Sequence, residues 1–565
     1  MSTFKYPKIN FSLVVFVIFL LLSLSILAIQ AFPGIKNNLL NFNKQELRVV
    51  VAPELEEVLT KAANDFGSTS KFKINLTTLA SGAMRTQFAA GKIAPNLLIP
   101  TSSVWLDLIN LDAGQKLFET EKLPILATSP VGIGIWESKL NLLKQKFNTN
   151  DLDYDQILQV ASSGGWQKIN TNVTQTNVYG GFTNPQVSTT GLSALIAQYY
   201  EAATKNNLPP EKLSLNDVNN LSNQAQISNL QNVIRHYSQN TVIFRDYLNR
   251  GPDYLDFLPL AENDLVYVNS AKGGTKPPEK LVMLYPKTGS IVHNYPLAIN
   301  NSGTNAAQKQ GLQDFENYLQ KDEIQKNLMS NGFRPSNKSI QLDSPLSSDF
   351  GIDPNQPSRK LELPPVEVID KILTSWNFVK KKSRIILALD TSGSMQGAKL
   401  DNAKKALQLF IDNLKGRNDV GLVNFDNTVN FDADPSNVES NKATLQAKIS
   451  SLQAQGSTSL YDGINGSLDK LQSISSLDKS SDTINAVIIL SDGADTNSQS
   501  NLKSVTDKIE NLQKSSNPIL VVPVGYGDDA DYNTLNALAR ASKTTVQKGG
   551  TGDIEKLFQD ISSYF

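Results

Sequence analysis

The sequence predicts an α/β protein whose folded part follows a single N-terminal transmembrane helix. In two separate stretches of the chain, short apolar runs alternate with amphipathic helical patterns, which is typical of mainly parallel sheets covered by helices. A stretch rich in proline, serine and aspartate separates the two. At 565 residues the chain is longer than one hydrophobic core usually supports, so at least two folded domains are expected.

An uncharged apolar run at residues 11–29 predicts the transmembrane helix, because its length suits a bilayer. Lys5 and Lys8 precede the run, which favours an N-terminus inside the cell and the bulk of the chain outside. A cleaved signal peptide is the alternative, but it usually has a shorter apolar core, and residues 29–31 fit a cleavage site poorly. Residues 1–45 are therefore assigned to a cytoplasmic tail, an anchor and a linker of a single-pass plasma-membrane protein.

The composition excludes several classes of function. The net charge of -1 leaves no excess of basic residues for binding nucleic acid, so no nucleic-acid partner is expected. The chain has no cysteine, which excludes disulfide bonds and thiolate chemistry and favours a bacterial rather than an animal cell surface. His236 and His293 are its only imidazoles, so a histidine-dependent hydrolase or a zinc enzyme is disfavoured. We therefore expect no enzymatic activity.

The first folded domain is assigned to residues 46–345. Residues 47–55 and 72–79 predict strands, and the stretch between them has the periodicity of a helix with one apolar face. A helical pattern at residues 312–329 closes the domain. This alternation predicts a sheet of mainly parallel strands.

Hydroxyl side chains stand at the starts of several predicted helices in this domain. Hydroxyls and free backbone amides at helix N-termini favour the binding of an anion or a polar solute. Serine and threonine are also ordinary helix N-caps, so a purely structural role is the alternative. The candidate solute-binding residues are Ser81, Ser102, Ser103, Ser188, Thr189 and Thr190.

Taken in order, these segments resemble the extracellular solute-binding protein family of type II topology. The resemblance covers residues 46–340 and rests on the stretches "VVVAPELEEVL", "ASGAMRTQFAAGK", "FTNPQVSTTGLSALI" and "YPKTGSIVHNYPLAI". It implies a periplasmic-binding-protein fold, in which two lobes joined by crossing strands close around a ligand. A small anionic or polar solute is the ligand that the resemblance implies.

Residues 346–382 are assigned to an inter-domain linker, because the stretch is rich in proline, serine and aspartate and lacks helical periodicity until Val366. A second alternation of strands and helices begins at Ser383 and defines a C-terminal domain of residues 383–565. Its first strand ends at Asp390 and is apolar through its middle, as a parallel strand covered on both faces should be.

Hard oxygen ligands follow two predicted strands of the C-terminal domain and precede one of its helices. In open α/β sheets, ligands bind beyond the carboxyl ends of the strands, so these loops are expected to meet. The expected metal ligands are Asp390, Ser392, Ser394, Thr458 and Asp492. Two carboxylates and three hydroxyls suit Mg²⁺ best, with Mn²⁺ or Ca²⁺ as alternatives, whereas zinc and copper prefer softer ligands.

The stretch "DTSGSM" resembles the Asp-x-Ser-x-Ser motif of the von Willebrand factor type A family, and Thr458 and Asp492 stand at its two other ligand positions. The resemblance implies a Rossmann-like, doubly wound sheet. It also implies a metal-ion-dependent adhesion site (MIDAS), in which one coordination position is open to an acidic residue of a partner protein. The alternatives are a decayed site, or Ser and Asp residues that serve only as helix N-caps.

Two functions follow from these domains. The first is a cell-surface binding or adhesion protein that engages a protein partner through the metal, with the solute-binding domain as sensor or spacer. The alternative is a membrane-tethered solute receptor of an ABC-type transport system, in which the type A domain serves assembly. Type A domains also serve cytoplasmic ATPase machines, but the span at residues 11–29 argues against that setting.

Overall fold

The computed structural model describes residues 44–565, except 174, 176, 206–207, 253, 415, 478–482, 516, 551 and 563. The predicted transmembrane segment, residues 11–29, lies outside the described residues. Within the described part, no helix is long and apolar enough to cross a bilayer. The described residues form three β-sheets with helices on their faces, which confirms the predicted α/β class.

The first two sheets and their helices come from the part of the chain before residue 336. In chain order these elements are β1 (Gln45–Val51), α1 (Glu56–Thr69), β2 (Phe72–Thr78), α2 (Ser81–Ala89), β3 (Leu97–Ile99), α3 (Val104–Ala113), β4 (Ala127–Trp136), α4 (Glu137–Phe147), α5 (Tyr154–Ser162), α6 (Trp166–Ile169), β5 (Gly180–Thr183), α7 (Thr189–Ala202), α8 (Leu215–Asn219), α9 (Leu221–Gln231), β6 (Ile234–Ser238), α10 (Thr241–Leu248), β7 (Phe257–Ala261), α11 (Glu262–Asn269), β8 (Leu281–Leu284), β9 (Val292–His293), β10 (Ala298–Ile299), α12 (Ala306–Leu319), α13 (Asp322–Ser330) and β11 (Arg334–Pro335).

The first sheet has the strand order β10–β3–β1–β2 and forms the first lobe. β1 pairs in parallel with β2 and β3, and β10 pairs antiparallel with β3. Leu47, Val49 and Val51 alternate along β1, so they lie on one face and pack with Phe66 and Phe315 from the helices. The sequence alternation in β1 therefore determines which face of the sheet enters the core.

The second sheet forms the second lobe and has the order β11–β4–β7–β5–β6, with β8 and β9 also paired to β4. β5 runs parallel to β6 and β7, but every described partner of β4 runs antiparallel to it. The predicted parallel arrangement thus holds in the first lobe and is wrong for the second. The reason is that β4 is buried almost throughout, and a continuous apolar run does not reveal the direction of the neighbouring strands.

The chain crosses between the two lobes more than once. β9 belongs to the second sheet and β10 to the first, so the short segment between them is one crossing. A further crossing lies between α13, which packs against α1 in the first lobe, and β11 in the second sheet. This arrangement confirms the predicted two-lobed domain.

The predicted closing helix at residues 312–329 is two helices, α12 and α13. The break lies at Gln320 and Lys321. The Gln325 Nε2 atom donates to the carbonyl oxygen of Leu319 at 3.1 Å and to that of Leu126 at 3.0 Å. The amide side chain thereby satisfies a carbonyl that the end of α12 leaves free, which apolar periodicity alone does not indicate.

The segment predicted as a linker contains a helix that packs on the first domain. This helix, α14 (Val366–Val379), places Trp376 on the ring of Phe182 with a centroid distance of 5.2 Å. Ser375 of α14 accepts a hydrogen bond at 2.7 Å from the hydroxyl of Tyr199, which lies in the second lobe. Toward the first lobe, Arg85 Nη2 donates to Asp370 Oδ1 at 3.0 Å. α14 is therefore a brace that contacts both lobes.

The C-terminal domain follows α14 directly. In chain order its elements are β12 (Lys382–Asp390), α15 (Ala398–Asn413), β13 (Asp419–Phe425), β14 (Val429–Asn437), α16 (Val438–Ser451), α17 (Leu460–Leu477), β15 (Thr483–Ser491), α18 (Leu502–Gln513), β16 (Ile519–Tyr526), α19 (Tyr532–Ser542), β17 (Gln547–Gly549) and α20 (Ile554–Ser562).

The sheet of this domain has the order β14–β13–β12–β15–β16–β17, and only β14 runs antiparallel to its neighbour. From β12 the chain proceeds outward to β13 and β14, and from β15 it proceeds outward in the other direction. Residues of α15, α16 and α20 pack on one face of the sheet, and residues of α17, α18 and α19 pack on the other. The gap between the carboxyl ends of β12 and β15 is therefore the topological switch point of a doubly wound sheet.

Candidate functional site

Two carboxylates lie at this switch point. β12 and β15 pair in parallel up to Leu389 and Leu490, so Asp390 ends one strand beside the end of the other. The Asp390 side chain is fully buried. The Ser491 hydroxyl donates to its Oδ2 atom at 2.6 Å, and the Ser392 amide donates to its Oδ1 atom at 2.9 Å. Asp390 is therefore held in one orientation from two sides.

The loop after β12 connects Asp390 to the second carboxylate. Ser392 Oγ and Ser394 Oγ lie 3.0 Å apart. The Ser394 hydroxyl donates to Asp492 Oδ1 at 2.7 Å. Four of the five residues predicted as metal ligands are thus joined in one hydrogen-bonded chain that runs from Asp390 to Asp492. We call these four residues the oxygen cluster.

Thr458, the fifth predicted residue, lies on a loop next to the oxygen cluster. The Gly393 amide donates to the carbonyl of Gly456 at 3.0 Å, so the two loops touch. The Thr458 amide donates to Thr496 Oγ1 at 2.9 Å, which attaches this loop to the one after β15. Among the described residues, no hydrogen bond joins Thr458 directly to the cluster. The structure therefore brings its loop to the site without linking its side chain to the other four.

Lys399 is a member of the site that the sequence did not reveal. It lies in the first turn of α15, and its Nζ atom is 2.6 Å from Asp492 Oδ2. The ammonium therefore neutralises one of the two carboxylates, while the described partners of Asp390 are uncharged. Burial raises the pKa of Asp390, and the neighbouring charge of Asp492 raises it further. A position in the first helical turn after the loop is the only sequence feature that points to Lys399.

The donor set determines what the oxygen cluster could hold. Within the described residues, no group of three or more His, Asp or Glu side chains is arranged to hold a metal ion. The cluster instead combines two carboxylates with hydroxyls, which are hard oxygen donors of the kind that Mg²⁺, Mn²⁺ and Ca²⁺ accept. Hydroxyl ligands would leave such an ion with unneutralised charge, so it could attract an acidic group from outside.

The second candidate site is the cleft between the lobes of the first domain. A cavity of about 30 Å³ lies there, and four of the six predicted solute residues line it: Ser81, Ser188, Thr189 and Thr190. Ser102 and Ser103 do not line it. The Ser102 hydroxyl accepts the Val104 amide at 3.4 Å, and the Ser103 amide donates to Asn294 Oδ1 at 2.9 Å.

Three of the four predicted residues that line the cleft use their hydroxyls on partners inside the protein. Ser188 is the N-cap of α7 and accepts the Gly191 amide at 3.3 Å, as the structural alternative predicts. The Thr189 hydroxyl accepts from Trp105 Nε1 at 2.8 Å, and the Ser81 hydroxyl accepts the Thr101 amide at 3.0 Å. The bond from Trp105 to Thr189 joins α3 to α7 across the lobes, whereas the bonds of Ser81 and Ser188 each lie within one lobe.

The cleft also contains acidic groups that the sequence interpretation missed. Glu54 Oε1 accepts from the Thr101 hydroxyl at 2.7 Å and from the Tyr295 hydroxyl at 3.1 Å, and burial raises the pKa of Glu54. Asp264 also lines the cavity and pairs with Arg245 at 2.9 Å. The sequence does not single out Glu54, because acidic residues are common near the starts of helices. Its carboxyl group opposes an anion in this cavity.

The two lobes are closed on each other. The Gly82 amide in the first lobe donates to the carbonyl of Val187 in the second lobe at 3.0 Å. A Cβ atom at position 82 would lie 2.1 Å from the carbonyl oxygen of Gln186, so only glycine permits this approach. Since one water molecule requires about 10–15 Å³, the cavity has room for two or three waters and not for a larger solute.

Comparisons with known proteins agree with this architecture. Residues 47–334 match the family model described as bacterial extracellular solute-binding protein, and residues 385–560 match the von Willebrand factor type A domain. Inter-alpha-trypsin inhibitor heavy chain H2 from Sus scrofa is 23% identical over 190 residues, which cover 32% of this chain and 20% of that protein. The chain thus spans about a fifth of the length of the curated relatives that it matches.

Two solved structures are similar to parts of this chain. The sulfate-binding protein SubI from Mycobacterium tuberculosis H37Rv is 16% identical, with a TM-score of 0.39, over 58% of this chain and 96% of SubI. A von Willebrand factor type A protein from Catenulispora acidiphila is 18% identical, with a TM-score of 0.29, over 33% of this chain and 42% of that one.

Proposed function

Because the chain belongs to the bacterial extracellular solute-binding protein family and also carries a von Willebrand factor type A domain, we propose that it is a surface protein that binds a protein partner through a divalent metal ion. The observation that carries this proposal is the oxygen cluster at the switch point of the C-terminal sheet. The proposed role is binding, without catalysis. In this proposal residues 11–29 anchor the chain in the plasma membrane, with the folded domains outside.

The metal ligands in this proposal are the oxygen cluster and Thr458, and Mg²⁺ is the ion that suits them best. Asp390 and Asp492 contribute the charge that holds the ion, while the three hydroxyls contribute neutral oxygens. The ion supplies an electrophilic centre for an acidic side chain of the partner. Ser491 and the Ser392 amide hold Asp390 in place for that task.

Lys399 opposes the ion in this arrangement, because its ammonium and a divalent cation compete for Asp492. Replacing Lys399 by methionine should therefore tighten Mg²⁺ binding by about tenfold, which corresponds to roughly 1.4 kcal/mol. Isothermal titration with MgCl₂ measures the change. Lys405→Met removes an exposed charge from the same helix and should leave the affinity as it is. Equal Mg²⁺ affinities in Lys399→Met and wild type would show that Lys399 does not compete with the ion for Asp492.

Partner binding is tested by capture from the native cell surface on the immobilised full chain. Proteins that bind in Mg²⁺ and elute with EDTA are identified, and their affinities are then measured with variants. Thr458→Ala should weaken the partner complex while Mg²⁺ still binds, since Thr458 is the ligand least connected to the cluster. Ser457→Ala, on the same loop, is the matched control. Capture that EDTA does not reverse would contradict a metal-dependent mode.

The solute-binding domain serves as a spacer in this proposal. Its cleft has a cavity of about 30 Å³, the Thr189 hydroxyl in it already accepts from Trp105, and α14 contacts both lobes. The alternative, a tethered receptor of an ABC-type transport system, requires lobes that open and a cleft that admits a solute. A thermal-shift scan of amino acids and neutral polar solutes distinguishes the two, because only a receptor gains stability from a solute that enters the cleft.

A further inference from the structure

A larger cavity lies where the second lobe, α14 and the C-terminal domain meet. It has a volume of about 180 Å³, and we call it the junction cavity. Gln239 lines it from the second lobe, Asn377 from α14, and Arg417 from the C-terminal domain. At about 10–15 Å³ for each water, it has room for a tetrahedral ion together with several waters. It is separate from both the oxygen cluster and the cleft between the lobes.

The charged side chains that line the junction cavity are all basic. Four lining residues are basic, namely Lys380, Lys381, Lys382 and Arg417, and none of the described side chains in the lining is that of Asp or Glu. The charge of Lys382 is offset by Asp419, which does not line the cavity: the distance from Lys382 Nζ to Asp419 Oδ2 is 2.7 Å. Lys381 donates to the carbonyl of Asn232 at 2.8 Å. The lining therefore favours an anion.

Among the basic residues of the lining, Lys380 has an ammonium group that no described carboxylate neutralises. Its described contact is with the ring of Tyr237, at 4.8 Å from Nζ to the centroid. In the part of the chain that the structure describes, no carboxylate lies within ion-pair distance of Lys380. Burial lowers the pKa of this ammonium to about 7. A partly buried cation without a carboxylate is costly, and an anion in the cavity would offset that cost.

The neutral groups around Lys380 can donate hydrogen bonds. The side chains that complete the lining are mainly amides, including those of Gln239 and Asn377. The buried Gln239 Oε1 atom has no hydrogen-bond partner. Since the oxygen and nitrogen of an amide can exchange places by rotation, Gln239 can equally present its NH₂ group to the cavity. Arg417 adds a planar guanidinium, whose paired N–H groups match two oxygens of a sulfate or phosphate.

We propose that the junction cavity binds a small oxyanion with two or more negative charges, of the sulfate or phosphate type, between Lys380 and Arg417. The anion would contact groups from the second lobe, from α14 and from the C-terminal domain. Its binding would therefore stabilise their mutual arrangement by mass action. The proposal depends on neither the metal site nor a solute in the cleft.

The test is isothermal titration of the full chain with sodium sulfate, with sodium chloride at equal ionic strength as the reference. Wild type should bind sulfate, and both Lys380→Met and Arg417→Gln should weaken it by about tenfold or more, as expected for the loss of a charge-assisted hydrogen bond. Lys338→Met removes an exposed lysine of the first domain and is the matched control. Methionine retains the aliphatic stem of Lys380, and Arg417 is exposed, so both variants should fold.

Inorganic phosphate and glucose 6-phosphate distinguish a free ion from an anionic group on a larger molecule. Tighter binding of glucose 6-phosphate would assign the cavity to the larger ligand, and tighter binding of phosphate would assign it to the free ion. The proposal is overturned if wild type binds neither sulfate nor either phosphate more tightly than chloride. It is also overturned if Lys380→Met and Arg417→Gln bind them as wild type does.

Discussion

Replacing Asp390 by alanine is expected to abolish Mg²⁺ binding, with a loss of affinity of at least about a hundredfold, since removing even a group behind a metal ligand costs about 10–100-fold. Asp390 supplies one of the two carboxylates in the site, and a hard divalent ion depends on such charge more than on hydroxyls. The fold should survive, because the side chain stands at a strand end and contributes little to the apolar core. Isothermal titration with MgCl₂ measures the affinity, and circular dichroism checks the fold.

The Asp390→Ala substitution should also change how much Mg²⁺ stabilises the folded protein. At a Mg²⁺ concentration a hundred times the dissociation constant, wild type should gain about 2.7 kcal/mol of unfolding free energy, while Asp390→Ala should gain nothing. Asp401→Ala removes an exposed carboxylate on α15 and should respond to Mg²⁺ as wild type does. If Asp390→Ala and wild type gain equal stability from Mg²⁺, the oxygen cluster does not hold the metal, and the adhesion proposal loses its main support.

Replacing Trp376 by alanine is expected to lower the free energy of unfolding by about 3–5 kcal/mol, the usual cost of deleting a large buried aromatic side chain. Trp376 is only 2% exposed, stacks on Phe182 and meets the ring of Tyr237 edge-on at 5.8 Å. It joins α14 to the second lobe immediately before β12 begins. Urea unfolding followed by circular dichroism measures the change. Faster proteolysis between residues 341 and 365 would show that the brace has loosened.

Phe378 provides the matched control on the same helix. It is 61% exposed, so Phe378→Ala should change the free energy of unfolding by no more than about 0.5 kcal/mol. A small effect of both substitutions would mean that α14 is not a brace. The solute-binding domain would then be free to open, which would favour the receptor alternative over the spacer.

Much of the C-terminal domain could be predicted because its evidence is local. The apolar run before Asp390 predicts a buried strand. Because ligands bind beyond the carboxyl ends of parallel strands, the hydroxyls of Ser392 and Ser394 are expected to lie close to Asp492, which follows another strand. Lys399 and Glu54 could not be predicted in the same way. Lys399 acquires its role from Asp492, 93 residues away, and Glu54 from Tyr295, 241 residues away. No local pattern records a partner at such a distance.

The sequence by itself determined the α/β class, the two folded domains and the residues that meet in the oxygen cluster, because periodicity and the chemistry of strand ends are properties of short segments. Only the tertiary structure decided that the lobes are closed at Gly82 and that a segment resembling a linker is a packed brace. It also placed Lys380 and Arg417 around one cavity. These features depend on surfaces from distant segments meeting, and packing rather than local preference determines where they meet.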